Sequence, residues 1–471
     1  MMDRGDTSVR LECRSLPRGA VVRKLTGREG ISELYAFDLD VVVVGDDQVD
    51  AAPLLGERAT IVFARDGHDV RSVHGLFVEV RQRREALDNA TALSLRLAPG
   101  LFQATLFETQ EVFLDQSVPA IFEQKLDRLG ETLVKRLEAK RFPARDLVVQ
   151  LAESDLAFVS RLAEHVGLSF FFEQGDDRET TVLTDATFPD HDRPIAFLPR
   201  GDRRGGVWSL ETATRLIPAA YILQEWNYRS PLVDLTASHA SDLGATGGVI
   251  EFGAHYKTVD EGTALARVRA EEREATHRVQ RGESDVCELS AGYRYDLDGE
   301  SLLVVEVDHS ITQAVGLHGD KDVTRYENRF VAIPAERAYR PPRRTPRPRV
   351  HGLLSGIVVD AMGSETGANP SIDEHGRYLV RLLFDAAGAG ERRASHPIRM
   401  VQPLAGAGYG MHFPLRPGAE VAIGFSDGDP DRPVILGSIP NHMTPSPVAR
   451  DNALKSTIKT ATGILVEMKD K

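Results

Sequence analysis

A segment rich in proline and arginine, YRPPRRTPRPRV at residues 339–350, limits what this chain can fold into. Its prolines at 341, 342, 346 and 348 lack backbone N–H donors and favour an extended conformation, so neither a helix nor a central strand can cross it. The segment is therefore predicted to be a linker between separately folded parts. We interpret it as a solvated spacer in preference to a basic tag for an acidic partner.

Before this segment, apolar and polar residues alternate over short stretches, which is typical of strands that bury one face. In VHGLFVEVR, Leu76, Val78 and Val80 are predicted to share a face opposite Phe77. In TALSLRL the buried face is predicted to hold the leucines. The sequence therefore predicts sheets with one solvated face.

Two stretches have the apolar spacing of amphipathic helices. In SVPAIFEQKLDRLG the apolar stripe ends at Gly130, and in ESDLAFVSRLAEHVG Ser154 can cap the first turn while Gly167 ends the helix. A third helix, predicted within residues 261–282, begins acidic and ends basic, and its thin apolar stripe predicts a position on a surface. The side chains predicted to be buried are Val118, Ile121, Phe122, Leu126 and Leu129 in the first helix, and Leu156, Val159, Leu162 and Val166 in the second.

After the linker, GRYLVRLLFD, AEVAIGF and PVILGSI read as strands divided by turns rich in glycine and proline. This pattern, without a convincing helix, predicts a small closed barrel or a sandwich. The final stretch, STIKTATGILVEMKDK, is strand-like but too short to bury itself. We therefore expect it to need a partner, and another copy of the chain is the nearest one.

Length and charge restrict the function classes. The 471 residues suffice for about three domains. The net charge of −13 argues against a general nucleic-acid binder, because such proteins gain affinity by neutralising phosphates. The sequence contains no apolar run of membrane-spanning length, and its start lacks the apolar middle of a signal peptide, so we expect synthesis in the cytoplasm. Cys13 and Cys287 fit no metal or redox spacing.

The stretch FSDGDPDRPVILG has the carboxylates of a cation loop at Asp427, Asp429 and Asp431. A calcium loop that starts at Asp427 would need glycine at its sixth place and glutamate at its twelfth, where this chain has Arg432 and Ser438. Arginine can neutralise the neighbouring aspartates, and the flanks alternate like strands. We interpret the stretch as the polar loop of a β-hairpin, with no metal site.

No pattern for catalysis is found. AGAGYGMHF has Met411 where a nucleotide fingerprint needs glycine, and Pro414 blocks the helix that should follow. P-loop, nucleophile-elbow and HExxH patterns are missing, and the histidines at 351, 375, 396, 412 and 442 never have ligand spacing. A pair of carboxylates for sugar hydrolysis stays an open alternative, because with 70 acidic residues the sequence does not indicate which two would lie at the required separation. The sequence predicts no cofactor and no metal.

Two long stretches resemble signatures of the VgrG family, the spike proteins of type VI secretion systems and related contractile injection machines. ESDLAFVSRLAEHVG is similar to the motif E-S-D-x-x-F-x-x-R-L-x-E-x-x-G, and GRYLVRLLFD with the stretch that ends in GDPDRPVILGSIPN is similar to a second signature. The first matches Glu153, Ser154, Asp155, Phe158, Arg161, Leu162, Glu164 and Gly167; the second matches Gly376, Arg377, Gly428, Asp429, Pro430, Asp431, Arg432, Pro433 and Asn441.

The resemblance implies a mainly β fold with a few helices. It implies two β-barrel-like hub units with helical insertions, possible interleaving of those units, an OB-type small β-barrel and the start of a trimeric β-helix. Asp429, Asp431 and Arg432 would hold a turn of the small barrel together. The expected divisions are a hub at residues 1–339, the linker at 340–349, the OB-type barrel at 350–443 and the needle at 444–471.

The function that the resemblance implies is mechanical, without enzymatic activity. A homotrimer would cap the hexameric inner tube, made of an Hcp-like protein, since two similar barrels in each of three chains give six equivalent units. Expected partners are also a PAAR-type tip protein, effectors and baseplate proteins, with no nucleic acid, and a target membrane only during injection. The protein would be assembled on the apparatus and translocated out of the cell.

Two alternatives remain. The small barrel could bind nucleic acid or glycan as an OB-fold module through aromatic side chains, some of which the core needs. A phage tail enzyme that degrades cell walls is less favoured, because the chain between GSIPN and the final strand is too short for such a domain. The candidate aromatic residues are Tyr378, Phe384, Tyr409, Phe413 and Phe425.

Overall fold

Strands dominate the protein, as the alternation of apolar and polar residues predicted. The structure is a computed structural model that describes residues 7–17, 19–44, 51–84, 90–314, 324–367, 369–386 and 394–470. Three α-helices occur in these ranges, α1 (Val118–Leu129), α2 (Asp155–Val166) and α3 (Val259–Glu274). None of the described helices is long and apolar enough to span a membrane.

The strands are numbered in chain order. The first are β1 Thr7–Glu12, β2 Ala20–Gly30, β3 Ala36–Val44, β4 Arg58–Arg65, β5 His68–Arg84, β6 Ala90–Ala98, β7 Glu108–Gln116, β8 Leu133–Arg136 and β9 Arg145–Ser154. They continue with β10 Ser169–Gln174, β11 Glu179–Thr184, β12 Val207–Thr214, β13 Pro218–Gln224, β14 Ala237–Ala240, β15 Thr246–Phe252, β16 Arg278–Ser284, β17 Arg294–Leu297, β18 Glu300–Thr312 and β19 Arg325–Pro334. The last are β20 Leu354–Val359, β21 Leu379–Leu382, β22 Leu404–Gly406, β23 Tyr409–Met411, β24 Glu420–Phe425, β25 Pro433–Ser438, β26 Lys455–Lys459 and β27 Leu465–Lys469.

Contacts divide the chain into two compact units. Unit 1 comprises Met1–Phe107, Val118–Phe142 and Ser154–Pro346, and unit 2 comprises Glu108–Ser117, Pro143–Glu153 and Arg347–Lys471. Two segments of the predicted hub, which carry β7 and β9, therefore belong to the unit that holds the C-terminal strands. The four-part division drawn from the sequence stays a prediction, and its hub and linker boundaries do not coincide with these units.

Unit 1 is built on one 11-stranded sheet of order β1-β4-β5-β6-β3-β2-β18-β19-β16-β12, with β17 paired to β18. The antiparallel pairing of β2 with β18 joins strands that lie far apart in sequence. The strands expected in two barrel-like hub units therefore share a continuous sheet. Small sheets of order β10-β11-β8 and β14-β13-β15 complete the unit.

The core of unit 1 is formed by alternate side chains of its strands, because successive side chains along a strand point to opposite faces of the sheet. Phe37 and Leu39 on β3 stand directly opposite Leu97 and Leu95 on β6, and all four side chains are buried. The prediction for TALSLRL is thus confirmed. Burial of each such side chain stabilises the fold by about 1.5–3 kcal/mol.

The face predicted for VHGLFVEVR was wrong. In this stretch of β5 the buried side chains are Val73, His74 and Phe77, whereas Leu76, Val78 and Val80 are half-buried. The register between β5 and β6 shifts between Phe77 and Glu79, because a bulge breaks the strict alternation. A bulge of this kind cannot be read from alternation alone.

The first two helices begin and end where the sequence predicted. The hydroxyl of Ser154 accepts the N–H of Ala157 at 3.2 Å, and Gly130 and Gly167 follow α1 and α2 with positive φ. Leu129, Leu156 and Val166 are half-buried rather than buried; Phe158 and Arg161 are buried on α2 instead.

Helix α3 was predicted to lie on a surface, and one of its faces, which includes Thr263, Ala264 and Arg267, is exposed, whereas the other face is buried. It packs on β13 and β14, with Ala266 and Ala270 fully buried. Arg269 and Glu271 are also buried on this helix. The buried face of this helix therefore contains charged side chains as well as apolar ones. Burial of these charges is tolerated because carboxylates and guanidinium groups pair with each other on this face.

The C-terminal strands form a small closed barrel, which is one of the two folds that the sequence pattern predicted. Strands in the order β21-β20-β24-β25 make a sheet around a core that includes Val380, Val421 and Ile423. Ile398 bridges Tyr378 next to β21, and Met400 bridges Ile435 of β25, so residues 398–400 pair with both edges and close the sheet on itself. The core aromatic Tyr378 is fully buried.

Candidate functional site

Helix α2 carries the first signature, and a buried ion pair lies at its start. The ammonium of Lys125 on α1 lies 2.7 Å from the Asp155 carboxylate, and both side chains are buried. The backbone N–H of Asp155 donates to the carbonyl of Phe107 at 2.8 Å. The Phe158 ring lies between two cations, with Lys125 at 5.7 Å and Arg161 at 5.1 Å from its centroid. This end of α2 therefore fixes α2 to α1.

The same helix holds the segment that was predicted to be a linker. Both oxygens of Glu164 accept hydrogen bonds from Thr345, at 2.9 Å from its backbone N–H and at 2.7 Å from its hydroxyl. Burial raises the pKa of Glu164, and the hydrogen bonds from Thr345, which lower it, offset only part of this effect. Glu164 thus stabilises one conformation of the segment.

Gly167 ends α2 in a place where only glycine fits. Its φ is 76°, and a Cβ there would lie 2.5 Å from Cγ1 of Val268 and 3.1 Å from Cδ of Arg340. Its carbonyl accepts a hydrogen bond from Arg340 at 3.0 Å. The left-handed conformation and the close approach both require glycine.

Residues 339–346, here called the strap, are held against unit 1, so the interpretation as a solvated spacer was wrong. Arg340 is buried and forms ion pairs with Glu271 at 2.7 Å and with Asp185. Arg343 lies 2.8 Å from Glu251. Sequence reasoning missed these partners because each lies far from the strap along the chain. Arg344 also pairs with Glu33, and Tyr339 packs in the core with Phe188.

The stretch GDPDRP forms the loop between β24 and β25, as predicted. The backbone N–H of Arg432 donates to the carbonyl of Asp429 at 2.9 Å, and that of Ser426 donates to the carbonyl of Arg432 at 3.0 Å. The carboxylate of Asp429 lies 2.9 Å from Arg347, and Asp431 accepts the N–H of Val149 on β9 at 2.7 Å. These carboxylates bind protein donors, so the loop has a structural explanation that needs no cation.

The other residues of the second signature lie at turns of unit 2. Gly376 has a φ of 72° in a turn closed by Arg377, whose Nε lies 2.7 Å from Asp373. Burial alone would raise the pKa of Asp373, but hydrogen bonds from Arg377 and His375 hold it below the usual range. Asn441 donates to Glu420 of β24 at 3.0 Å. Two further signature residues lie at or near α2: Glu153 belongs to unit 2 and comes just before the helix, and Leu162 is buried on the helix. The last three lie in or next to the loop between β24 and β25. Gly428 has a φ of 70°, Pro430 is buried and Pro433 begins β25.

A buried polar network in unit 1 was not predicted. Nε2 of His309 donates to Glu29 at 2.8 Å, and its Nδ1 accepts the hydroxyl of Tyr326 at 2.6 Å. Arg71 also pairs with Glu29, and Asn328 donates to Tyr326 at 2.9 Å. Burial alone would raise the pKa of Glu29, but Arg71 and His309 lower it to about 2. Burial lowers the pKa of His309. No sequence pattern could find this network, because its residues lie on β2, β5, β18 and β19 and meet only when the sheet has formed.

One group of metal-ligating residue types occurs in the described part of unit 2. Side-chain atoms of Asp115, Asp146 and His396 all lie within 4.8 Å of one another. The three residues come from separate segments, so spacing in the sequence could not reveal the group.

Two family models match the chain. One, described as the phage tail baseplate hub (GPD), matches residues 28–315. The other, described as the type VI secretion system/phage-baseplate injector OB domain, matches residues 371–439, which include β21, β24 and β25 of the closed barrel. The prediction of an OB-type barrel is confirmed.

Curated relatives agree with these matches. The type VI secretion system spike protein VgrG5 of Pseudomonas aeruginosa is 28% identical over 465 residues, which cover 92% of this chain and 57% of the relative. The spike protein VgrG3 of Vibrio cholerae is 27% identical, with 94% of this chain and 46% of the relative covered. The actin cross-linking toxin VgrG1 of Vibrio cholerae is 26% identical, and 42% of its length is covered. The chain thus spans about half the length of these relatives.

Solved structures show the same fold. The E. coli c3393 protein, a type VI secretion component, matches 91% of this chain and 100% of its own with a TM-score of 0.67 at 24% identity. The lidless PdpA-VgrG complex matches 99% of this chain and 93% of its own with a TM-score of 0.65 at 7% identity. The hub model covers more than half of the 471 residues. The chain therefore belongs to the phage tail baseplate hub (GPD) family, with the VgrG spike proteins among its relatives.

Proposed function

We propose that three copies of this chain form the hub and spike of a contractile injection apparatus. The trimer caps a hexameric inner tube of an Hcp-like protein and carries a tip or effector cargo into a target. The proposal rests mainly on the C-terminal hairpin, which has an exposed apolar face.

The hairpin pairs β26 with β27, and its two faces differ. Ile458 stands directly opposite Val466, and Ser456 opposite Met468, so these residues share one face. Ile458 is 46% exposed, Val466 52% and Met468 59%. The other face carries the ion pair between Lys455 and Glu467, with 3.2 Å between the charged atoms. An isolated two-stranded hairpin is at best marginally stable, and this one needs a cover.

Further copies of the chain supply that cover. Three chains wound about one axis pair their open strand edges and bury a common apolar seam, which removes edges that would otherwise promote aggregation. The three-chain β-helix implied by the family resemblance has this arrangement. Like charges must be separated or paired along the axis because each chain carries a net charge of −13, so assembly is expected to depend on salt.

Partners are proposed from the relatives. Several are named type VI secretion system spike proteins, and one solved assembly is a PdpA-VgrG complex. By analogy, this chain binds effectors, a PAAR-type tip protein and baseplate proteins, and leaves the cell through the apparatus. The relatives' names support a spike that is not an enzyme; the toxin among them is a protein of which this chain spans 42%.

A second candidate, an OB-fold binding module, is favoured by two exposed aromatic residues. Tyr409 is 66% exposed and Phe413 52%, whereas Tyr378, Phe384 and Phe425 pack in or against the core. The segment between residues 400 and 415 has no lysine or arginine, so the segment that carries these two aromatic side chains supplies no cation for phosphate binding. Retardation of single-stranded DNA by the purified chain would support this candidate.

The experiment is electron microscopy of the purified chain mixed with its inner-tube protein. Averaged end views are expected to show three copies on a six-fold ring. A Val466→Asp variant should lose the trimeric cap, because the carboxylate enters the apolar seam. A Met362→Asp variant is the control, since Met362 is 91% exposed outside the hairpin, and it should cap normally. Tubes that bind single copies would overturn the proposal.

A further inference from the structure

We propose that residues 342–346 of the strap form a salt-labile clasp, which closes onto carboxylates of unit 1 and opens while residues 339–341 stay anchored. This inference is independent of the proposed function. It concerns how unit 1 holds the chain that leads into unit 2.

The anchor is buried. Tyr339, Arg340 and Pro341 are all buried. Arg340 lies between Glu271 and Asp185, and the three side chains are 5–8% exposed. Its guanidinium also donates to the carbonyl of Gly167 at 3.0 Å. Salt screens a buried, hydrogen-bonded charge cluster only weakly, so this end is expected to stay closed.

The two arginine contacts that follow are more exposed than the anchor, whereas Thr345 is half-buried. The Arg343 side chain is 35% exposed, at 2.8 Å from Glu251 and 3.5 Å from Glu272. The Arg344 side chain is 61% exposed and pairs with Glu33. Exposed pairs of this kind contribute little individually and weaken with salt. The contacts of Arg343 and Arg344 are therefore the part of the clasp that salt is expected to weaken.

Carboxylates of unit 1 accept every described polar contact of residues 343–345. Thr345 adds the two hydrogen bonds to Glu164, and Glu306 lies 3.9 Å from Arg344. The strap lies outside any strand or helix, so no backbone ladder replaces these contacts when they are lost. The clasp is therefore electrostatic.

Release would lengthen the free chain ahead of Arg347. Five extended residues at ~3.1 Å each add roughly 15 Å, and prolines keep the freed segment extended. Pro342 and Pro346 bound this segment. Opening of the clasp would thus free a short, semi-rigid segment of chain.

Limited trypsin digestion tests the clasp, because the sequence makes the cuts selective. Trypsin cuts after Arg343 and Arg344 but poorly after Arg340 and Arg347, since proline follows each of these. The full chain is digested at low salt and in 1 M NaCl, and an unstructured peptide PRRTP measures the effect of salt on trypsin itself. Relative to the peptide, cleavage in the strap is expected to rise ~5–10-fold at high salt.

Two variants and a second measurement complete the test. Glu251→Gln and Glu33→Gln, which keep side-chain size, should raise cleavage at low salt and reduce its salt dependence. Glu374→Gln, whose carboxylate is exposed in unit 2, should change neither. Hydrogen exchange of the Thr345 amide should accelerate with salt in the unmodified chain. Cleavage ratios that neither salt nor the two variants alter would overturn the clasp, as would low-salt cleavage as fast as that of the peptide.

Discussion

The ammonium of Lys125 lies 2.7 Å from the carboxylate of Asp155, and the side chains are 1% and 6% exposed. The pair joins α1 to the start of α2 and gives the aspartate of the first signature a structural role. A buried charge is tolerated only while its partner is present, so the two residues act as one group.

Replacement of Asp155 by alanine is expected to destabilise the protein by about 3–5 kcal/mol, because Lys125 would stay buried without its counter-charge. Adding Lys125→Met should restore much of the loss, since methionine fills a similar space without charge. Urea unfolding of the single and double variants measures both effects. Asp127→Ala, on the exposed face of α1, is the control and should stay near the parent. Equal losses in the single and double variants would contradict the pairing.

Gly167→Ala is expected to cost more stability than Gly130→Ala. Both glycines have positive φ, 76° and 70°, so both variants incur the left-handed penalty of about 1–2 kcal/mol. Only at Gly167 would the new Cβ clash, at 2.5 Å from Val268, whereas nothing lies within 4 Å of it at Gly130. The difference between the losses of unfolding free energy in the two variants therefore measures the cost of the clash between the new Cβ and Val268. A difference of zero would show that α2 can move away from α3.

Acid is expected to destabilise unit 1 through His309. Burial lowers the folded-state pKa of this histidine below its ordinary value of 6.5, so the unfolded chain binds the proton more readily. Stability should therefore be full above pH 6.5 and fall as the pH drops below it. Glu29, with a pKa of about 2 against 4.5, adds a second loss between those values. Urea midpoints across pH 3–8 give the profile.

The control for this profile is a pair of histidine variants. His309→Gln should flatten the step near pH 6.5, whereas His375→Gln, with a 64% exposed side chain, should leave it unchanged. The charged and titratable groups around His309 are Glu29, Arg71, Asp308 and Tyr326. If the step persists in His309→Gln, another group causes it.

In the GDPDRP loop, Asp429→Asn should destabilise unit 2 by about 1–3 kcal/mol, because it weakens the charge-assisted contact with Arg347. Asp427→Asn should change stability by less than about 0.5 kcal/mol, since its side chain is 86% exposed. Calcium should leave the thermal midpoint of both variants and the parent unchanged. If calcium raised the thermal midpoint of the parent and Asp429→Asn abolished that rise, the loop would be a cation site.

The sequence predicted features that depend on local chemistry. Alternation found the leucine face of β6, the hydroxyl of Ser154 and the glycine at 167 marked the ends of α2, and the loop between β24 and β25 followed from its flanks. The family resemblance was also confirmed.

The features that sequence reasoning missed depend on distant partners. Lys125 occupies an otherwise apolar stripe because Asp155 neutralises it. His309 meets Glu29 across 280 residues of chain. The arginines of the strap looked solvated because their carboxylates lie on β15, on α3 and before β3. Each of these pairs exists only after the sheet and helices have assembled.

The molar mass of the purified full-length chain, measured by light scattering during gel filtration at moderate salt, tests the central claim most directly. A trimer at three times 51.8 kDa is the expected result. A stable species of 51.8 kDa across the accessible concentration range would contradict the claim that the C-terminal hairpin requires other copies of the chain.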